Sequence, residues 1–206
     1  MEAFITGIIL AFGLILPLGV QNVFILNQGF LHSRFVSALP AILTACLCDT
    51  ILILLAVLGL SLLLLHNVWF ELILTIVGVC FLVFIGWTTW RSKPEDLDSK
   101  EPKKFTVSKQ IMFAASVSLL NPHAILDTIA VIGTTSLHYQ EEERILFSSA
   151  TILVSWIWFF SLAIAGRIMG KSPKKNTFFQ MIQKLSALFI WGTALYLSVT
   201  MVEKYI

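Results

Sequence analysis

Two prolines interrupt two long apolar segments of this chain, and they stand 105 positions apart. Pro17 lies in Leu16-Pro17-Leu18-Gly19-Val20-Gln21-Asn22, and Pro122 in Leu120-Asn121-Pro122-His123-Ala124-Ile125-Leu126-Asp127. Laying Pro17 on Pro122 brings Asn22 onto Asp127, and the same shift lays Phe84-Ile85 and Thr88 over Phe189-Ile190 and Thr193. A proline inside a helix removes a backbone donor and frees the carbonyl one turn earlier. At membrane depth such unpaired groups are tolerated only inside protein or beside a water-filled cavity. Paired interruptions in the two halves of an apolar chain therefore outline a transporter built from an inverted repeat.

Composition supports the membrane setting. Of 206 residues 57% are hydrophobic and only 13% charged, against about 25% charged in a soluble domain. Nearly all of the chain is taken up by apolar segments, which leaves no room for a soluble catalytic domain of roughly 100 residues or more. A formal charge of +2 is too small to argue nucleic-acid binding. The first residues, Met1-Glu2-Ala3-Phe4, carry no Lys or Arg and lead into a Pro-Leu-Gly break rather than a cleavage site, so this segment reads as a retained first helix and not a signal peptide. Cys46, Cys48 and Cys80 all fall inside apolar segments and read as small hydrophobes, not as a disulfide framework.

A hydrocarbon core about 30 Å thick needs about 20 apolar residues as helix. Six stretches qualify, roughly 3–30, 36–65, 69–90, 109–137, 145–166 and 182–202. The expected fold is all-α: a polytopic membrane protein of six transmembrane helices, arranged as two inverted three-helix repeats with discontinuous first and fourth helices. Residues 1–91 form the first repeat, 92–108 a charged cytoplasmic linker, and 109–206 the second, inverted repeat. With six crossings, Arg34, the linker cluster Arg91 to Lys109 and the cluster Arg167 to Lys184 share one side, which holds twelve of the fourteen basic residues. Arg144 and Lys204 remain on the other side. The positive-inside rule makes the richer side cytoplasmic and places both termini outside, in a plasma (inner) membrane. Lys171, Lys174 and Lys175 are expected to meet anionic lipid headgroups. Ala3, Gly7 and Ala11 recur at four-residue spacing, a pattern for close helix packing in lipid.

Few ionisable groups lie deep. Asp49 sits near the middle of the second segment, Asp127 follows the break of the fourth, and His123 lies within that break. An aspartate at a helix centre costs about 2.5–3.5 kcal/mol on insertion scales, so two of them need either a function or partners. The bland reading is that each is protonated or bonded to a Ser or Thr of a neighbouring helix; the sharper one is that they bind substrate or couple its movement. His123 reads equally as a helix-end hydrogen-bonding residue or as a titrating group. Gly19 lets the chain bend after Pro17, and Gln21, Asn22, Asn27 and Gln28 supply amides in the same segment. Asn121 is placed to cap a half-helix that starts at Pro122, a favoured first-turn position for proline, and such a half-helix offers free N–H groups to an anion such as a carboxylate. The alternative is that both prolines merely kink helices to fit a bundle.

Together the strings Leu16-Pro17-Leu18-Gly19-Val20-Gln21-Asn22, Asn27-Gln28-Gly29, the intramembrane Asp49 and Leu120-Asn121-Pro122-His123 with Asp127 resemble the LysE-type exporters of basic amino acids, most closely the arginine exporter branch. The resemblance spans the whole chain. It departs at Val20, where the family commonly has proline, and at Leu119, where it often has tryptophan. The resemblance implies export of lysine, arginine or close analogues from the cytoplasm without ATP, and Asp49 and Asp127 match its acidic positions. The small-molecule partner is then a cationic amino acid, with the proton as coupling ion; a homo-oligomer is compatible with this reading.

The site residues on this reading are Asp49, Asp127, Asn22, Gln21, Asn121 and His123, with Pro17, Gly19 and Pro122 shaping the breaks. No P-loop and no metal-ligand spacing occurs, so neither cofactor nor metal is expected. An intramembrane aspartyl protease lacks its Gly-x-Gly-Asp signature here, and a thiol relay needs cysteines at the breaks, which carry prolines instead. An exporter of neutral amino acids or another small metabolite is the serious competitor, and a non-transporting assembly protein a weaker one.

Overall fold

A computed structural model describes residues 1–16, 19–32, 34–59, 68–92, 106–173 and 175–205, and every regular element among them is helical. Helix α1 (Glu2–Ile15) is apolar throughout, with Glu2 in its first turn, where a negative charge favours the helix dipole. Helix α2 (Val20–Leu31) starts after Gly19. A single 3-10 turn (Phe35–Ala38) leads into α3 (Leu39–Val57), whose first turn holds Pro40. Beyond α3 the chain turns at Gly59, whose φ of +73° suits a residue without a Cβ. Helix α4 runs Val68–Arg91, and α5 (Val107–Leu119) is capped by Thr106, whose hydroxyl accepts the Lys109 N–H at 3.4 Å.

The fourth apolar stretch is the most broken. After α5 come α6 (Pro122–Asp127), a π-helical turn (Thr128–Gly133) and the short α7 (Thr134–Ser136). Helix α8 (Glu141–Gly170) opens on Glu141, Glu142 and Glu143 and carries Arg167 in its last turn, both favourable to its dipole. Helix α9 runs Lys175–Tyr205.

Among the described residues three helical stretches are long and apolar enough to cross a membrane: Phe35–Val57, Glu141–Gly170 and Asn176–Glu203. Helices α1 and α2 make a fourth if counted as one broken span; they are bent by 81° against each other. Thr75–Arg91 of α4 is apolar but shorter. The chain is thus a multi-pass helical membrane protein with three clear spans among the described residues. Of the linker, residues 93–105 lie outside the described residues. The helix Glu141–Gly170 exceeds the expected 145–166 because its acidic first turn and basic last turn keep the polar ends helical.

Helix α8 packs against α1, α2 and α3, α3 packs against α5 and the π turn, and α9 packs along α4. Glycine permits the closest of these approaches. A Cβ on Gly29 would meet the Ala163 carbonyl, and one on Gly166 the Leu26 carbonyl, so α2 and α8 touch backbone to backbone. On α1 the buried residues are Ala3, Gly7 and Ala11, and Gly7 faces Phe147 and Ala150 of α8. Ile25, Ile42, Ala45 and Phe159 form one core between α2, α3 and α8; Val20, Leu82, Ile85 and Ile190 form another between α2, α4 and α9.

Candidate functional site

Each break is held differently. At the first, α1 ends at Ile15, and the Asn22 side chain donates from Nδ2 to the Ile15 carbonyl at 2.7 Å. The Trp158 indole N–H of α8 donates to Asn22 Oδ1 at 3.3 Å. Asn22 thus satisfies a carbonyl orphaned by the break and is itself fixed at both ends of its amide. Gly19 stands at the N-cap of α2 in extended conformation, where it offers no side-chain cap, and the first-turn N–H groups of α2 have no acceptor within the helix. Pro17 lies outside the described residues, as do the side chains of Pro122 and His123.

At the second break Asn121 occupies the N-cap position of α6 but makes no side-chain capping bond, contrary to expectation. Its Oδ1 is buried without a hydrogen-bond partner. Its backbone carbonyl accepts the Ile125 N–H at 3.2 Å, so the half-helix is started by backbone alone. Asp127 closes α6 where the helix widens into the π turn. Such turns recur at functional sites because the extra residue per turn shifts the side chains that follow. No proline or glycine at Thr128–Ile132 announces this one in the sequence.

Asp49 projects from the middle of α3 toward α8, where the Ser155 hydroxyl donates to its Oδ2. One residue on, Thr50 donates to the Cys46 carbonyl at 2.7 Å and accepts the Trp156 indole N–H at 3.0 Å. The Ser partner anticipated as the bland alternative for a membrane aspartate therefore exists for Asp49.

These pieces line a half-open cavity of about 250 Å³. Asp49, Asp127, Gln21, Asn22, Asn121 and Gly19 all line it, so residues named from both halves of the sequence share one space. Ser155, Thr151 and Thr128 add hydroxyls that sequence reasoning did not name, and Thr193, named there only as the repeat counterpart of Thr88, adds another. The signal for Ser155 was its place 106 positions after Asp49, next to the proline spacing, with Thr151 one helical turn before it. The remaining wall is apolar, with Ile53, Leu82, Ile132, Phe159 and Phe189 among its residues. No lysine or arginine appears among the described lining residues. Gln21 Nε2 is buried and has no hydrogen-bond partner. Asn27 and Gln28 do not reach this cavity, because they lie one to two turns further along α2. Among the described residues no three His, Cys, Asp or Glu side chains gather into a metal site, and Cys46, Cys48 and Cys80 are free thiols.

Broken helices around a largely apolar cavity that carries two carboxylates, in a multi-pass membrane bundle, fit a membrane transport protein rather than an enzyme. The chain belongs to the LysE type translocator family, whose model matches residues 12–201. It is 51% identical to "Putative amino-acid transporter YisU" of Bacillus subtilis (strain 168), over 98% of this chain and 91% of that protein. It is 32% identical to the arginine exporter protein ArgO of Serratia proteamaculans (strain 568), over 96% of this chain and 97% of that one. The match to the arginine exporter protein ArgO of Escherichia coli (strain K12) is also 32%, over 93% and 91%. No solved structure matches the chain.

Proposed function

We propose that the protein is a secondary-active exporter of basic amino acids, carrying arginine, lysine or close analogues outward in exchange for an inward proton. One observation carries the reading: two carboxylates, Asp49 and Asp127, line a single cavity whose described wall holds no basic side chain. A wall of that charge favours a cation over a neutral or anionic cargo. The cargo's cationic groups face the aspartates, and its carboxylate faces the first turn of α2, whose N–H groups and dipole attract an anion. Its methylene stem lies along Ile53, Leu82 and Phe159, as long basic side chains lie on apolar surface. The names of the ArgO relatives agree with this cargo.

The six-crossing inverted repeat also draws support. Packing of α8 on α1 and α2 has its counterpart in packing of α3 on α5 and the π turn, while the α3–α8 and α4–α9 contacts are their own counterparts. The Asp49–Ser155 and Thr50–Trp156 bonds each join residues 106 positions apart. Helices related by a two-fold axis meet at equivalent positions where they cross it. On this arrangement the basic connections are cytoplasmic and both termini outside, and rocking of one half against the other exposes the site alternately. Outward movement of one positive charge against an inside-negative potential costs about 2.3 kcal/mol per 100 mV, and an inward proton cancels that cost. Asp49, Asp127 or His123 is the group that would exchange cargo for proton.

A second reading, export of neutral amino acids, is favoured by the apolar share of the wall and by the Ser155 hydroxyl already on Asp49. Efflux of labelled arginine, lysine and leucine from loaded cells, with and without the protein, separates the two. The basic-cargo reading requires arginine and lysine to leave faster with the protein present. Accelerated leucine efflux with unchanged arginine and lysine overturns it.

A further inference from the structure

A second cavity, of about 350 Å³, lies between α2, α4 and α9 on the side of the lysine- and arginine-rich connections. Its polar lining consists of Asn27, Gln28, Thr88, Thr89, Ser92 and Gln183, amides and hydroxyls without any ionisable group among the described lining residues. It shares two residues with the first cavity, Val20 and Ile190. Both are buried, at 4% and 1% exposure, and both belong to the apolar core formed with Leu82 and Ile85. Two polar spaces thus adjoin across a short apolar plug.

We propose that this second cavity is the access vestibule through which cargo reaches the Asp49–Asp127 site, and that Val20 and Ile190 form the closed constriction between them. The proposal rests on the reading of the first cavity as a transport site. Three features carry it. The vestibule holds a polar group awaiting a partner: Gln28 is 1% exposed, yet its Oε1 has no hydrogen-bond partner. Buried unsatisfied polar groups are uncommon and point to a water or ligand that completes them. The polar part of its lining is uncharged, which suits a hydrated zwitterion in passage and leaves discrimination by charge to the aspartates beyond. Finally, the internal repeat relates the two spaces: Thr88 lines the second cavity, and its counterpart Thr193, 105 positions on, lines the first. Ile85 and its counterpart Ile190 are likewise both wall residues. The Asn27 amide donates to Gln183 Oε1 at 3.2 Å, a bond between α2 and α9 that loosens if the two part.

The test is thiol accessibility in membrane vesicles turned so that the basic connections face the medium. Single cysteines replace Thr88 and Thr193 in a Cys46→Ala, Cys48→Ala, Cys80→Ser background, and a charged maleimide is added. Thr88→Cys reacts fast and Thr193→Cys slowly. Adding Ile190→Ala speeds modification of Thr193→Cys by about tenfold, equivalent to lowering the barrier by ~1.4 kcal/mol, and leaves Thr88→Cys unchanged. Val20→Ala, on the opposite wall, does the same and stands in should the first variant fail to assemble. Inert Thr88→Cys, or a Thr193→Cys rate indifferent to both alanines, overturns the proposal. The reagent reads water access whatever the cargo is. A protein that fails to move arginine but keeps this labelling pattern therefore refutes the basic cargo and not the vestibule.

Discussion

The carboxylate of Asp49 on α3 is bound by the hydroxyl of Ser155 on α8, a residue 106 positions further along the chain. The next residue repeats the relation, since Thr50 meets Trp156 at 3.0 Å across the same separation. An acid at membrane depth is thereby stabilised by hydrogen bonding rather than by an ion pair, and no basic side chain on the described cavity wall competes with a cationic cargo for it.

Ser155→Ala tests whether that bond supports cargo binding. A hydrogen bond to a charged group contributes about 1.5–3 kcal/mol, so its loss shifts the apparent KM for arginine efflux by about tenfold. In an Asp49→Asn background the same change has little further effect, because both substitutions disable one unit. Equal effects in the two backgrounds, measured as labelled efflux from loaded cells, contradict the coupling.

Asp127→Asn keeps the side chain's shape and removes its charge. Efflux of arginine and lysine is expected to fall by about tenfold or more, since a specific charge contact worth more than ~1.4 kcal/mol is lost. Any neutral amino acid the protein carries keeps its rate. Parallel loss of both classes, at unchanged protein level in the membrane, means that Asp127 acts on folding or on the conformational cycle and not on the charge of the cargo.

The two breaks, the deep acids and the all-helical class were legible because each breaks a rule. Proline inside an apolar run and aspartate inside an apolar segment both carry local costs that a sequence displays. The partners that offset those costs were not legible. Ser155 and Trp158 lie on α8, over a hundred residues away, and a serine in an apolar helix looks the same whether it bonds its own backbone or a distant carboxylate. Asn121 illustrates the converse. Its position before a proline signals a cap, yet its Oδ1 makes no capping bond and is left buried at the cavity wall. The π turn after Asp127 also left no mark, because the apolar pattern of Thr128–Gly133 serves an ordinary helix equally well.

Asn22→Ala separates support from recognition. Asn22 spends its donor on the Ile15 carbonyl and takes a bond from Trp158. Its removal leaves a buried carbonyl and an indole N–H short of a partner, at a cost of about 1–3 kcal/mol. Thermal stability in detergent falls accordingly, and efflux falls for every cargo alike. A variant of wild-type stability with altered cargo preference shows instead that Asn22 contacts the substrate.

Glycine substitution gives the sharpest stability test, because one chemical change has opposite signs at two positions. At Gly166 an added Cβ runs into the Leu26 carbonyl and crowds the Phe30 nitrogen, and neither backbone atom can rotate away. Helices α2 and α8 must then separate, and with them Asn22 from Trp158. Overpacking of this kind costs about 1–3 kcal/mol or more. At Gly192, in the interior of α9, an added Cβ meets nothing within 4 Å. Alanine there gains about 0.5–1 kcal/mol from helix propensity and reduced unfolded-state entropy. Gly166→Ala therefore lowers the unfolding temperature of the detergent-solubilised protein, and Gly192→Ala raises or preserves it, with about 2–4 °C expected per kcal/mol. Because α2 also carries Gln21 and Asn22 of the cavity wall, Gly166→Ala also slows efflux, while Gly192→Ala leaves it intact. A tolerated alanine at Gly166 overturns the backbone-to-backbone contact of α2 with α8.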